Sequence, residues 1–349
     1  LRASTPESGE EEAVVDKSNG RDNVALTWLR SEGARIWIAL LGLVVVCFFL
    51  APGALTSSAL LAMLPVTAIL AVAAIGQSLT IQQGGIDFAV PGAMTLAAVI
   101  VTGFPNGDEG KLGLGILLAL LAVVIAGLVS GLAITWLNIT PIIATLAVNA
   151  LLFGAVLTYA SASPKSSTER LSSFAVERTL GVPNTVWVAV VFVVLAIIVQ
   201  NRTVVGRRFL LIGASPAASR AMGLPVTRYL VGTYMIAALC YGVAGIMLAG
   251  YVVAPSLSLG NSYLLASITA VVIGGTSFGG GRARLAGTAV AALFLSLLNS
   301  LLSSLGAPSS TQLLVQSAAI AIAIGVGPGL SALRRYLRQR SLSRSITAA

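Results

Sequence analysis

Asp87 is the one acid between Glu32 and Asp108, and it lies in the stretch GGIDFAVPG (84–92) between long apolar runs. An ionised carboxylate at membrane depth is costly unless it is paired, hydrated or put to use. Two readings follow. Either Gly84 and Gly85 form a turn and Asp87 accepts backbone amides as a cap of the next helix, or the carboxylate couples transport to an ion. Little else in the chain can do covalent chemistry. There is no histidine, which excludes a Ser-His-Asp triad, a His-ligated zinc site and a histidine proton relay. Cys47 and Cys240 stand apart inside apolar runs, so neither a disulfide nor a metal site is expected. The lysines are Lys17, Lys111 and Lys165, and none completes the G-x-x-x-x-G-K-[ST] pattern of a phosphate-cradling loop. The chain is not expected to be an enzyme or to carry a cofactor of its own.

What remains is hydrogen-bonding chemistry. Gln77, Ser78, Thr80, Asn138, Thr145, Asn149, Ser267, Thr269, Asn299 and Gln316 fall inside or beside apolar runs. Amides and hydroxyls of this kind exchange hydrogen bonds with a hydroxylated solute along a passage, and they equally serve as bonds between helices, at under about 1 kcal/mol each. Gly274, Gly275, Gly279, Gly280 and Gly281 crowd the end of another run. They read either as a broken helix beside a watery path or as close packing with a tight turn.

The elements that position these groups belong to a membrane. The 349 residues are 56% hydrophobic and 9% charged, too little polar surface to cover a water-soluble domain of this length. At roughly 20 apolar residues per span, about ten spans are expected, near 36–51, 59–80, 86–103, 112–137, 142–160, 185–200, 229–253, 263–278, 285–305 and 312–327. The expected class is an all-α polytopic membrane protein with both termini in the cytoplasm. That orientation places Arg30, Arg35, Arg202, Arg207, Arg208, Arg220, Arg228, Arg282, Arg284 and the Arg334 to Arg344 cluster on one side. Lys111, Lys165, Arg170 and Arg178 fall on the other, as the positive-inside bias requires. The net charge of +9 is thus explained without nucleic acid. Residues 1–35, with the run Glu10, Glu11, Glu12, read as a disordered tail. Residues 36–328 form the membrane domain, 201–228 an inner loop, and 329–349 a basic tail.

Within the inner loop, GRRFLLIGASPAASRAMGLP (206–225) carries helix punctuation. Ser215 suits an N-cap and Pro216 a first turn, Ala217 to Met222 continue, Gly223 suits a left-handed stop and Pro225 bars continuation. A helix of about two turns is not stable alone in water. It docks either on lipid headgroups through its arginines or in a groove of a partner protein.

GGIDFAVPG (84–92), TPIIATL (140–146) and IGGTSFGGGRARLAGT (273–288) together resemble, in order and spacing over about residues 60–327, the permease subunits of bacterial ABC importers for ribose and related sugars. The resemblance implies a coupling loop at 206–225, with Gly213, Ser215, Pro216, Ala217, Ala218, Arg220 and Gly223 facing an ATP-binding subunit. Gly213, Arg220 and Gly223 match the family pattern, whereas Ser215 and Pro216 stand where it has Asn-Glu. Ala89 and Pro91 likewise replace Ser and Gly, which argues against sugar contact at those two positions. The motif turns are Gly84, Gly85 and Asp87, and Gly274, Gly275, Gly280 and Gly281; path-lining candidates are Gln77, Asn138, Thr145, Asn149, Thr269 and Asn299. The implied partners are two ATP-binding subunits or a fused pair of them, holding ATP and Mg, a second permease chain, an extracytoplasmic sugar-binding protein and membrane lipid. The alternative is a secondary transporter driven by an ion gradient through Asp87.

Overall fold

The structure, a computed structural model, describes residues 32–160, 164–308, 310–318 and 321. The acidic tail, the Arg334 to Arg344 cluster and the later part of the last expected span lie outside them. Helices α1 (Glu32–Leu50), α2 (Ser57–Gln82), α3 (Val90–Gly103), α4 (Leu112–Trp136) and α5 (Pro141–Ala160) form the first half. A connection follows with α6 (Glu169–Val176) and a hairpin of β1 (Arg178–Thr179) and β2 (Val182–Pro183). The second half holds α7 (Asn184–Arg202), α8 (Val204–Ala214), α9 (Pro216–Ala221), α10 (Val226–Val252), α11 (Asn261–Ile273) and α12 (Leu285–Ser304). Residues 310–318 are helical again.

Six of these, α2, α4, α5, α7, α10 and α12, are long and apolar enough to cross a membrane. Residues 36–50 of α1, together with α3 and α11, are shorter apolar helices. The protein is therefore an α-helical polytopic membrane protein. Three expectations need correction. The span expected at 86–103 is helical only from Val90, and the one expected at 263–278 stops at Ile273. The loop expected at 201–228 is largely helix, because Thr203 caps α8 by accepting the Gly206 amide at 3.1 Å. Residues 164–184 carry structure of their own: Thr168 accepts the Leu171 amide to start α6, and Leu180 and Gly181, at φ 55° and 79°, turn the hairpin. Positive φ at both turn residues matches the twist of the flanking strands.

The core is built by close approach of small residues. Centrally placed α2 and α10 meet where a Cβ on Gly76 would lie 2.7 Å from the Tyr241 ring and 2.9 Å from the Ala237 carbonyl. On α4, Gly127 and Gly131 lie four residues apart against α10, and Cβ atoms there would fall 2.5 Å from the Tyr234 carbonyl and 2.8 Å from Val231 Cα. Between helices in lipid, packing of this kind replaces the hydrophobic driving force available in water. The outer faces of α1, α4, α5 and α7 present Phe48, Phe49, Leu121, Ile125, Ile143, Leu151, Val191 and Leu195. An apolar belt that broad fits lipid.

The 26-residue α2 and the 27-residue α10 run in opposite directions, with Ala62 beside Tyr251 at one end and Gly76 beside Ala237 and Tyr241 further along. Each is followed by a non-helical stretch and then a short helix, the 14-residue α3 or the 13-residue α11. The two short helices start side by side, since the Gly260 amide donates to Thr95 Oγ1 at 3.0 Å and Gly260 lies against the Pro91 carbonyl. Short helices that begin inside the bundle after a break are a recurring feature of transporters.

Candidate functional site

Helix α2 ends by a left-handed cap: Gly84 sits at φ 79°, its amide donates to the Ile81 carbonyl at 2.9 Å, and the Gly85 amide donates to Thr80 at 3.0 Å. Glycine stands there because a Cβ disfavours that backbone. The chain then turns back into the bundle as non-helical backbone until α3 begins. Residues 85–89 are non-helical, with Ala89 already at φ −80°, ψ −4°, and lead into the fourteen helical residues of α3, about 21 Å long.

Non-helical backbone within a helical bundle needs partners for its amides and carbonyls. Side chains from two other helices supply them. Thr145 Oγ1 on α5 accepts the Phe88 amide at 3.0 Å, and one turn on, Asn149 Oδ1 accepts the Gly92 amide at 2.9 Å. Asp87 Oδ1 accepts the Ala89 amide at 2.8 Å. Gln77 on α2, its amide turned so that both atoms are matched, donates to Tyr241 Oη at 3.0 Å and the Asp87 carbonyl at 3.2 Å, and accepts the Asp87 amide at 3.3 Å. Gly85 sits against the Tyr234 hydroxyl and Pro141. Beside the bend lies a cavity of about 170 Å³ lined by Ile81, Gly84, Gly85, Ile86, Thr140, Pro141, Ile142 and Phe278.

The path-lining candidates thus divide. Gln77, Thr145 and Asn149 converge on the broken segment and hold its backbone. Thr269 is buried and donates to the Leu265 carbonyl of its own helix at 2.6 Å. Asn299 accepts from Gln316 Nε2 at 3.1 Å. Asn138 does not sit in the interior: it is exposed, at φ 53°, in the turn between α4 and α5. An asparagine tolerates left-handed backbone, which accounts for it there. Asp87, 2% exposed, bonds the amide of the residue preceding α3 and not one inside the helix. Tyr234 and Tyr241, which complete this node, gave no sequence signal beyond being tyrosines within an apolar span.

The glycine cluster closes the same end of the bundle. Gly275, at φ 89°, stops α11, and Gly274 packs against the Thr288 amide at the start of α12, where an added Cβ would be 2.6 Å away. Gly280 and Gly281 follow at φ 79° and 78°, with Gly279 exposed between them and Ser277. Thr276 Oγ1 lies 3.3 Å from Ser78 Oγ and accepts the Arg284 amide at 3.3 Å.

At that end α9 projects. Ser215 Oγ accepts the Ala218 amide at 3.3 Å, Pro216 occupies the first turn, and Gly223 at φ 75° ends the helix with the Leu224 amide on the Ser219 carbonyl at 3.0 Å. Ala217, Ala218, Arg220 and Ala221 are exposed, Met222 is 61% exposed, and Ser219 points inward and is buried. Arg207, Arg208, Arg228 and Arg282 are exposed at the same end. No acid follows Glu177 in the chain. The surface is a small apolar knob set in positive charge.

Residues 59–324 match the family described as branched-chain amino acid transport system / permease component. The chain belongs to this family. Relatives of the permease include the ribose import permease protein RbsC of Escherichia coli strain K12, 30% identical over 311 residues, 88% of this chain and 96% of that protein. RbsC of Bacillus subtilis strain 168 is 32% identical over 291 residues, 82% and 90% of the two chains. The autoinducer 2 import system permease protein LsrD of Photorhabdus laumondii is 29% identical over 274 residues, 76% and 82%. No solved structure matches the permease.

Proposed function

We propose that the permease is the membrane-spanning subunit of an ATP-binding-cassette importer in a bacterial cytoplasmic membrane, and that it forms the passage for a monosaccharide of the ribose kind. The observation that carries this reading is the near full-length likeness to two ribose import permeases. The cargo reaches it from an extracytoplasmic binding protein, and it works paired with a second permease chain. ATP and Mg belong to partner subunits. Ten spans, with both termini and the loop 201–228 cytoplasmic, complete the topology, flanked by tails 1–35 and 329–349.

In this reading Ser215, Pro216, Ala217, Ala218, Arg220 and Gly223 form the contact with the ATP-binding subunit, while Gly213, expected there from the sequence, is buried against Gln82 and lies behind the contact. The exposed face of α9 supports it: a helix of six residues gains its order from what it docks on, and its alanines and Met222 fit a groove. Closure of the ATP-binding pair pushes α9, and the bundle opens toward the cytoplasm. The broken segment at Gly84, Gly85 and Asp87, with Gln77, Thr145 and Asn149 around it, is the element that a rocking half displaces.

The test is co-purification from detergent extract, comparing wild type with Ala217→Asp plus Arg220→Glu. An ATPase retained by wild type and lost from the variant supports the reading; the same partners on both point to a lipid-bound helix. The ion-coupled alternative is tested by Asp87→Asn, which keeps an acceptor for the Ala89 amide. Uptake that persists in this variant and stops on ATP depletion excludes coupling through the carboxylate.

A further inference from the structure

Beneath α9, three separate parts of the chain touch through backbone alone. The Gly281 amide donates to the Gln82 carbonyl, the last residue of α2, at 2.9 Å. Gly213, near the end of α8, crosses this bond: a Cβ there would run into the Gln82 carbonyl and lie 3.0 Å from the Gly281 nitrogen. On the far side, a Cβ on Gly280 would stand 2.5 Å from the Gly213 carbonyl, and one on Gly281 would stand 2.9 Å from Ala214 Cα. The neighbouring Gln83 Nε2 ties α2 to the Phe209 carbonyl of α8 at 2.9 Å, and Thr276 ties the glycine turn to Ser78 of α2.

The same α2 carries Gln77, about one and a half turns before Gln82, which holds the backbone of Asp87. The Gln82 side chain is fully buried, and neither atom of its amide has a hydrogen-bond partner among the described residues. An unmatched buried amide destabilises the arrangement that contains it relative to one that supplies partners. The joint therefore combines backbone contacts too close for a side chain to cushion with a group that favours rearrangement.

We infer that the clasp of Gly213, Gln82 and Gly281 is the joint by which displacement of α8 and α9 moves α2 and, through Gln77, the broken segment before α3. Gly213 and Thr276 are positioning residues of the transport cycle. The inference rests on the proposed coupling role of α9.

The experiment uses proteoliposomes holding the permease with its co-purified ATPase, the binding protein outside and radiolabelled D-ribose as probe. It reads ribose accumulated per ATP hydrolysed, a ratio that a loss of folded protein alone leaves unchanged. Hydrogen exchange of residues 276–284, with and without ATP and vanadate, supplies a readout independent of the cargo. Gly213→Ala is expected to keep the ATPase bound and to lower the ratio by about tenfold, within the usual span of coupling effects. Thr276→Val, which removes the bonds to Ser78 and to the Arg284 amide but adds no atom to the glycine clasp, lowers it by a smaller factor and serves if Gly213→Ala does not fold. Gly232→Ala, with no atom within 4 Å of the added carbon, leaves it unchanged. In wild type, exchange at Gly281 speeds up when ATP and vanadate are added. Normal ratios in both variants, or an exchange rate at Gly281 indifferent to ATP, overturn the inference. A wild-type preparation that retains no ATPase overturns the functional reading, and the inference with it.

Discussion

Thr145→Val removes a hydroxyl and keeps the shape of the side chain, which isolates one bond of the broken segment. The Phe88 amide then has no acceptor, because Thr145 Oγ1 at 3.0 Å is the partner found for it. Thr145 is fully buried, so water is a poor substitute. An orphaned buried amide costs about 1–3 kcal/mol. Spread over the local opening equilibrium, that is about a 5- to 150-fold loss of protection. The assay is hydrogen exchange by mass spectrometry on peptides covering 84–92 in detergent micelles. A global melting curve shows whether the loss stays local. Thr145→Ser retains the acceptor and is expected to behave as wild type. Asn149→Leu frees the Gly92 amide one turn along α5 and is expected to give a similar loss. The double variant should depart from additivity, since both bonds pin one segment. If Thr145→Val leaves exchange at Phe88 unaltered, or Thr145→Ser is as damaging, the segment is held by packing and the hydrogen-bond account is wrong.

Further outcomes follow from the same geometry. Gly85→Ala drives a methyl into the Tyr234 hydroxyl and is expected to destabilise by about 1–3 kcal/mol as overpacking does; Tyr234→Phe should restore part of the loss, read as melting temperature in micelles. Gly131→Val wedges α4 from α10 at Val231 and is expected to cost at least as much, whereas Gly113→Val, in open space, should be neutral in the same melting assay. Outside the membrane, the hydrogen bond from Lys111, then the Gly110 amide and the Lys111 charge, lower the pKa of Asp108 below the ordinary carboxylate value. Its small contribution is therefore present above the unfolded pKa and fades as pH falls through the folded one. NMR titration should show the Asp108 midpoint rising in Lys111→Ala. Association with an ATPase should weaken as salt is raised and strengthen as it is lowered, because the docking end carries Arg207, Arg208, Arg220, Arg228 and Arg282 without an acid after Glu177, and screening acts within about 8–10 Å at ordinary ionic strength.

Hydropathy locates the long spans, because about 20 apolar residues in a row have few other uses. The caps were legible too: Ser215 with Pro216 starts α9, and glycines at 84, 223 and 275 take the left-handed positions that end three helices. Each such signal is local, resting on one residue's own backbone preference. The candidate polar residues were visible as polar but not sorted by role. Asn138 and Asn149 look alike in sequence, yet one turns a corner in the open and the other accepts a backbone amide of a different helix.

The chain by itself determines a polytopic membrane protein, its helix punctuation and its basic stretch after Gln200, since composition, period and turn residues are properties of a sequence. Tertiary structure alone decides that the span expected at 86–103 is helical only from Val90, that Gln77, Thr145 and Asn149 meet there, and that Gln82, Gly213 and Gly281 interlock. Apart from Gln77 with Asp87, ten positions on, these contacts join residues 57 to 199 positions apart, and each engages backbone atoms that carry no residue-specific signature. Only the packing of helices distant in sequence against one another brings such atoms within bonding distance.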